Sequence, residues 1–165
     1  MTGWVKPNTD GAVFGNPIKA RGRGVLQDSN GDWVSRFMRK LGSMSSILLE
    51  IWALKDGLLL AWQLDILNVN IELDADVLVH LLNNPSFHNL MLEPLLNDCR
   101  TLIKAFPSYT VTHIIREANR CADKFANMGA TQPIDFLLLY ESLPMVDNLL
   151  TFDKAEFFYN RIVIV

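Results

Sequence analysis

The hydrophobic and polar positions along the chain repeat with two different periods, which predict strands first and helices later. Two β-prone runs at about 22–28 and 32–40 flank a Ser-Asn-Gly turn, and they predict a hairpin that follows an opening strand. The next run repeats its apolar residues every three or four positions and predicts an amphipathic helix that ends near Leu64. Those apolar positions are Ile47, Ile51, Leu54, Leu58 and Ala61.

The rest of the chain alternates between strand and helix patterns. The segment NVNIELDAD alternates apolar and polar residues and predicts a fourth strand that ends at Asp74. The elements predicted after it are a helix at about 75–84, a loop through His88, a helix at about 90–104, a strand at YTVTHII and a helix over ANRCADKFANMG. Three strands followed by alternating helices and strands predict a mixed α/β sheet with helices on its faces. From about Thr131 the pattern loosens, and DFLLLYESL and VDNLLTFDKAEFF are compatible with helices.

Composition narrows the class of protein. A chain of 165 residues, half of them hydrophobic, predicts one compact domain. Its net charge of −3 means that a polyanion would have to meet a local basic patch, which argues against a DNA-coating protein. Cys99 and Cys121 lack metal-ligand spacing, which argues against a zinc site or a disulfide framework. The polar start and the interrupted apolar runs predict an intracellular protein, nuclear or cytoplasmic, without a membrane anchor.

Four carboxylates lie beside apolar residues in these predicted elements: Asp10, Glu50, Asp74 and Asp123. Asp10 is the hardest to explain, because the surrounding stretch WVKPNTDGAVFGNP is otherwise typical of a buried strand. A carboxylate in a central strand costs several kcal/mol of desolvation unless a cation or hydrogen-bond donors compensate it. A metal ion is one such cation.

Ordinary roles remain open for the other three acids. Glu50 fits a capping box poorly, because the serines at 45 and 46 would need their acid at positions 48 and 49, both of which are leucine. Asp74 can be the N-cap of the helix that follows it, and Asp123 can be an early-helix acid favoured by the helix dipole. If all four converge, their oxygens could hold two hard divalent cations, but spacing alone does not establish convergence.

Four segments resemble, in the same order, the successive motifs of the ribonuclease H type 1 family: NTDGAVFGNP, SSILLEIWALKDGLLLA, IELDADVLVHLL and VTHIIREANRCADKFANMG. The likeness is greatest to plant domains related to retrotransposon reverse transcriptases, and it covers residues 4–130. It implies a ribonuclease H-like fold in which three antiparallel strands and then parallel strands form a five-stranded mixed sheet flanked by helices. We expect that domain at 1–130 and a tail of unknown role, packed on it, at 131–165.

The resemblance also implies a chemistry. Asp10, Glu50, Asp74 and Asp123 correspond to the family's four catalytic, metal-binding acids, which hold two Mg²⁺ ions, with Mn²⁺ as a substitute. The implied activity is endonucleolytic hydrolysis of the RNA strand of an RNA–DNA hybrid, in which the 2′-hydroxyl distinguishes RNA from DNA.

Three further residues match accessory positions of the family. Gly11 and Asn16 match positions that contact the nucleic-acid backbone, although each could be a simple turn residue. His113 matches a strand-to-helix motif, with Ile115 in place of the usual proline, and could assist proton transfer or be structural.

The chain also departs from the family pattern. In GNPIKARGRG, Ile18, Arg21 and Arg23 stand where glycine is common, so the two arginines could contact phosphates or be solvated surface charges. No basic helical extension is present between Asp74 and Asp123. A second hypothesis is therefore a catalytically weak or inactive module that binds nucleic acid or, through its apolar tail, a protein partner. A third, an unrelated scaffold, would require four coincidences in motif order. We expect a monomer that binds RNA–DNA hybrid and no membrane.

Overall fold

The computed structural model of the protein describes residues 3–14, 19–85, 89–114, 136–140 and 163–164. The strands in these ranges are β1 (Trp4–Phe14), β2 (Lys19–Gln27), β3 (Trp33–Gly42), β4 (Asn68–Leu73), β5 (Ser108–His113), β6 (Phe136–Tyr140) and β7 (Val163–Ile164). The helices are α1 (Ser46–Gln63), α2 (Asp76–Asn83) and α3 (Glu93–Ala105). Each helix and strand predicted before residue 114 is therefore present. The predicted loop through His88 lies partly outside the described residues.

The strands form one mixed sheet in the order β5-β4-β1-β2-β3-β6-β7. β1, β2 and β3 pair antiparallel, whereas β4 and β5 run parallel to β1. These five strands are the predicted five-stranded mixed sheet. The prediction of a ribonuclease H-like α/β fold is confirmed.

The C-terminal segment corrects one expectation. The run DFLLLYESL is compatible with a helix, but Phe136–Tyr140 is strand β6 and pairs antiparallel with residues 35–39 of β3. A short run of large apolar residues does not distinguish helix from strand, and here the open edge of β3 supplies hydrogen-bond partners for a strand. The helix-compatible segment VDNLLTFDKAEFF lies outside the described residues.

The β2–β3 turn forms as its sequence predicts. The Asp28 side chain accepts hydrogen bonds from the backbone N–H groups of Asn30, at 2.8 Å, and Asp32, at 2.9 Å. Gly31 adopts a φ of +83°, a left-handed conformation that glycine reaches without strain. This local chemistry fixes how β2 and β3 pair.

Helix α1 lies across β1 and β2, and α3 packs against α1. Of the five apolar positions predicted to face the core, all but Ile47 are fully buried. Close packing depends on Gly57, because a Cβ atom there would come within 2.9 Å of the Thr9 methyl group. Within the described ranges, no helix is long and apolar enough to cross a membrane.

Candidate active site

Asp10 lies in the interior of the sheet. Its strand, β1, is flanked by β4 and β2, and the residue is 6% exposed. The predicted placement of a carboxylate in a buried central strand is therefore present in the structure. Such a group needs compensation by a cation or by donors.

Two other predicted acids come to the same edge of the sheet. In the parallel pairing of β1 with β4, Asn8 lies opposite Glu72. Two residues further along each chain segment, Asp10 and Asp74 therefore lie side by side. Asp74 directly follows β4, and Glu50 lies in the second turn of α1. We call Asp10, Glu50 and Asp74 the acid cluster.

The pKa of Glu50 reflects the closeness of these three carboxylates. The pKa of Glu50 is raised from its ordinary 4.5 to about 8, chiefly by burial and next by the negative charge of Asp10. The charge of Asp74 and a hydrogen bond with the Asp10 side chain raise this pKa further, while a hydrogen bond with the Gly11 backbone lowers it. Glu50 therefore holds a proton at neutral pH when no cation is bound.

Gly11 sets the approach of α1 to the acid cluster. A Cβ atom at this position would lie 2.5 Å from the Leu49 Cβ and 2.8 Å from the Glu50 backbone nitrogen. Gly11 is part of β1, so the alternative interpretation as a turn residue is wrong. Its contact with α1 explains the glycine without reference to nucleic acid.

The ordinary roles considered for Asp74 and Glu50 do not apply. The N-cap of α2 is Ala75, so Asp74 does not cap the helix that follows it. The N-cap of α1 is Ser45, and its side chain makes no capping hydrogen bond. Neither acid is explained by helix capping.

Of the three remaining residues predicted for the site, the structure describes only His113. His113 ends β5, is exposed, and pairs with Leu73, the residue before Asp74, so it lies at the edge that carries the acid cluster. Asp123 and Asn16 lie outside the described residues. Their roles stay predictions.

Arg23 has a role in this site that the sequence did not reveal. It lies directly opposite Asp10 in the β1–β2 pairing, is 6% exposed, and forms an ion pair with the Asp10 carboxylate. Arg21 is also buried, and its guanidinium contacts the Met38 sulfur at 3.7 Å. The interpretation of these arginines as solvated charges is wrong, because cross-strand pairing places both inside the protein.

The acid cluster suits a hard divalent cation in its chemistry but not in its present arrangement. Carboxylate oxygens are the ligands that Mg²⁺ and Mn²⁺ prefer, and a cation would relieve the repulsion at Glu50. Within the part of the chain that the structure describes, however, no three acidic, histidine or cysteine side chains are arranged to hold a metal ion. The pairing of Asp10 with Arg23 is a physical reason for this difference.

The fold and the order of these acids define a ribonuclease H-like domain. Residues 8–129 match the model of a family described as reverse transcriptase-like, and the chain belongs to that family. One relative is an Arabidopsis thaliana protein named as a ribonuclease H protein. It is 36% identical over 134 residues, or 81% of this chain. The chain spans only 22% of that relative's length.

Solved structures agree with this assignment. Ribonuclease H1 from the archaeon Halobacterium salinarum aligns over 75% of this chain and 95% of its own, with a TM-score of 0.67 and 25% identity. The ribonuclease H1 called LC11, solved in complex with an RNA/DNA hybrid, aligns over 75% of this chain and 94% of its own, with a TM-score of 0.65. At 23% identity, the LC11 likeness concerns the fold alone.

Proposed function

We propose that this domain hydrolyses the RNA strand of RNA–DNA hybrids, with Asp10, Glu50 and Asp74 as the carboxylates of the reaction centre. The supporting observation is the convergence of these acids from β1, α1 and the end of β4, which the raised pKa of Glu50 reflects. In this proposal Asp123 supplies a fourth carboxylate. The family match and the relative named as a ribonuclease H protein support the choice of substrate.

The acid cluster is where Mg²⁺ or Mn²⁺ would be held. A bound divalent ion would activate water for attack and stabilise the charge on the leaving oxygen. The chain's own part is to orient the carboxylates: Asp10 lies in β1, Asp74 directly follows β4, and Gly11 admits Glu50 beside them. Placement of these residues by the backbone limits the rearrangement that metal binding requires to their side chains.

Cleavage of a labelled RNA–DNA hybrid tests this proposal, with RNA–RNA and DNA–DNA duplexes of the same sequence as substrate controls. We expect the RNA strand of the hybrid alone to be cut, in Mg²⁺ or Mn²⁺ but not in EDTA. Asp74→Asn is the informative variant, because Asp10→Asn would also leave Arg23 buried without its carboxylate. Cleavage that Asp74→Asn leaves unchanged, in protein shown to be folded, would contradict the proposal.

One observation favours a second function, a hybrid-binding module without turnover. Asp10 is already neutralised by Arg23, so this carboxylate does not need a metal ion to be stable in the folded protein. This alternative predicts hybrid binding in a gel-shift assay, no cleavage in either metal, and no effect of Asp74→Asn on the affinity.

A further inference from the structure

The ion pair of Arg23 with Asp10 is held by the backbone of the sheet. The two residues are Cα partners in the antiparallel pairing of β1 with β2, which directs both side chains to one face. Each residue is 6% exposed, so water screens their attraction little. The pair is therefore held in place by the strand pairing and is buried, unlike a mobile salt bridge on the surface.

The pair continues a row of polar contacts on the sheet face opposite α1. Thr9 lies against Gly57 of α1, so its neighbours Asn8 and Asp10 point to the other face. Glu50 of α1 reaches the Asp10 side chain beside Gly11, where no side chain stands between them. On the face opposite α1, Asn8 donates a hydrogen bond to Gln27, and Lys6 pairs with Glu72 at 2.9 Å. Arg23 and Asp10 are the members of this row at the acid cluster.

This arrangement has a consequence for any cation that approaches Asp10. The Arg23 guanidinium already supplies the positive charge and hydrogen-bond donors that a buried carboxylate requires. A divalent ion must displace the guanidinium or share the carboxylate with it at close range, where like charges repel.

We propose that Arg23 is a built-in cation that competes with divalent metal for Asp10 and thereby sets the metal affinity of the acid cluster. The inference rests on the proposed function, because it takes the acid cluster as the place where the metal binds. It predicts that removing the charge of Arg23 strengthens metal binding, whereas removing a neighbouring buried charge does not.

Calorimetric titration of the full chain with Mn²⁺ and with Mg²⁺ tests this inference. The variant is Arg23→Gln, which removes the charge but keeps an amide donor, and the matched control is Arg21→Gln, a buried arginine two residues away on the same face. We expect the Kd of Arg23→Gln to fall by about tenfold or more and that of Arg21→Gln to change by less than about threefold. Thermal unfolding of each variant without metal establishes that it is folded.

A second measurement covers the case in which Arg23→Gln does not fold. In the wild-type protein, ¹⁵N NMR of the arginine side chains follows the Arg23 guanidinium during a Mg²⁺ titration. We expect its signals to move with the same midpoint as metal binding. Mg²⁺ binding that leaves these signals unchanged would overturn the inference.

The outcomes separate this inference from the proposed function. Equal metal affinity in the wild type and Arg23→Gln, together with metal-dependent cleavage of the hybrid, would overturn the inference and leave the nuclease proposal intact. A fall in Kd that is equally large in Arg21→Gln would also overturn it, because the effect would then be one of net charge. Metal binding by none of the folded proteins would overturn both.

Discussion

Glu50 is a glutamate whose pKa lies far above its ordinary value. Its carboxyl is largely buried and faces the charges of Asp10 and Asp74, which together raise its pKa to about 8. Arg23 pairs with Asp10, whereas burial and the charges of the two aspartates favour the protonated form of Glu50. A protonated glutamate at neutral pH is thus a property of the metal-free fold.

Glu50 makes the stability of the metal-free protein depend on pH. Between about pH 4.5 and about pH 8 the folded protein keeps the Glu50 proton that the unfolded chain releases, so the free energy of unfolding falls as pH rises. We expect Glu50→Gln, which stays neutral, to lose this slope and to be about 4 kcal/mol more stable than the wild type at pH 8. Urea denaturation in EDTA at several pH values measures both. Parallel pH profiles for the two proteins would contradict this expectation.

Cys99 is a buried residue whose thiol is expected to be unreactive. It is fully buried, its thiol donates to the backbone oxygen of Ile51 at 3.7 Å, and burial raises its pKa from 9.0 to about 12. In a Cys121→Ser background we expect iodoacetamide to alkylate Cys99 about a thousandfold more slowly in the native protein than in urea, because the thiolate is the reactive form. Mass spectrometry of the time course measures the rates, and equal rates would show that the thiol is accessible.

At the scale of elements, the packing of α1 on the sheet decides whether the acid cluster can form. Gly11 and Gly57 are both positions where a Cβ atom would lie under 3.0 Å from the facing element. Glycine at these two places lets helix and strand approach closely enough for Glu50 to reach Asp10.

We expect Gly11→Ala to lower the free energy of unfolding by about 2–3 kcal/mol, because its Cβ would overlap Leu49 and the α1 backbone. Gly22→Ala is the matched control. Gly22 is the cross-strand partner of Gly11, and its nearest neighbour would be the end of the Leu41 side chain at 3.2 Å. The control should cost less than about 1 kcal/mol in urea denaturation. Equal losses in the two variants would refute the steric explanation.

The sequence predicted these elements well where one period dominates a long run. The three- and four-residue spacing of α1 and the alternation in β4 follow directly from which face is buried. β6 was not predictable in the same way, because FLLLY has no period and becomes a strand only by pairing with β3. Its conformation depends on a partner about 100 positions away in the chain.

The site residues also differ in whether the local sequence or the pairing between strands identifies them. Asp10 and Glu50 were identified because each conflicted with a local rule, one by its burial and the other by missing the capping position. Arg23 violates no local rule, since a strand can carry a charge on a solvated face. Only the register of β1 with β2 places it on Asp10, and that register is not readable from residue types alone.

At the scale of the whole molecule, β6 extends the sheet beyond the family match, which ends at residue 129. Phe136 of this strand stacks on Phe37, with ring centroids 6.4 Å apart, and lies 4.6 Å from the Arg39 guanidinium. Arg39 in turn holds the buried Asp56 with hydrogen bonds of 2.5 and 2.9 Å. This contact ties the C-terminal strand to α1 and β3.

We expect Phe136→Ala to lower the free energy of unfolding by about 2 kcal/mol, since the ring is half-buried against Phe37 and Arg39. Tyr109→Ala is the control, because Tyr109 is an exposed aromatic on β5, at the other end of the sheet order. Its loss should stay within about 0.5 kcal/mol in the same denaturation experiment. A Phe136 variant as stable as the wild type would mean that β6 contributes nothing to the cooperative unit.

The acid cluster is proposed to be a reaction centre, and a kinetic comparison of variants is the sharpest test of that proposal. It compares the single-turnover rate of RNA-strand cleavage in Mg²⁺ by the wild type, Glu50→Gln and Asp74→Asn, with Asp76→Asn as the control because Asp76 is an exposed acid two residues from Asp74. We predict a loss of about a hundredfold or more for the two cluster variants and less than about threefold for the control. A wild-type rate no higher than that of the cluster variants, with all four proteins folded, would contradict the account.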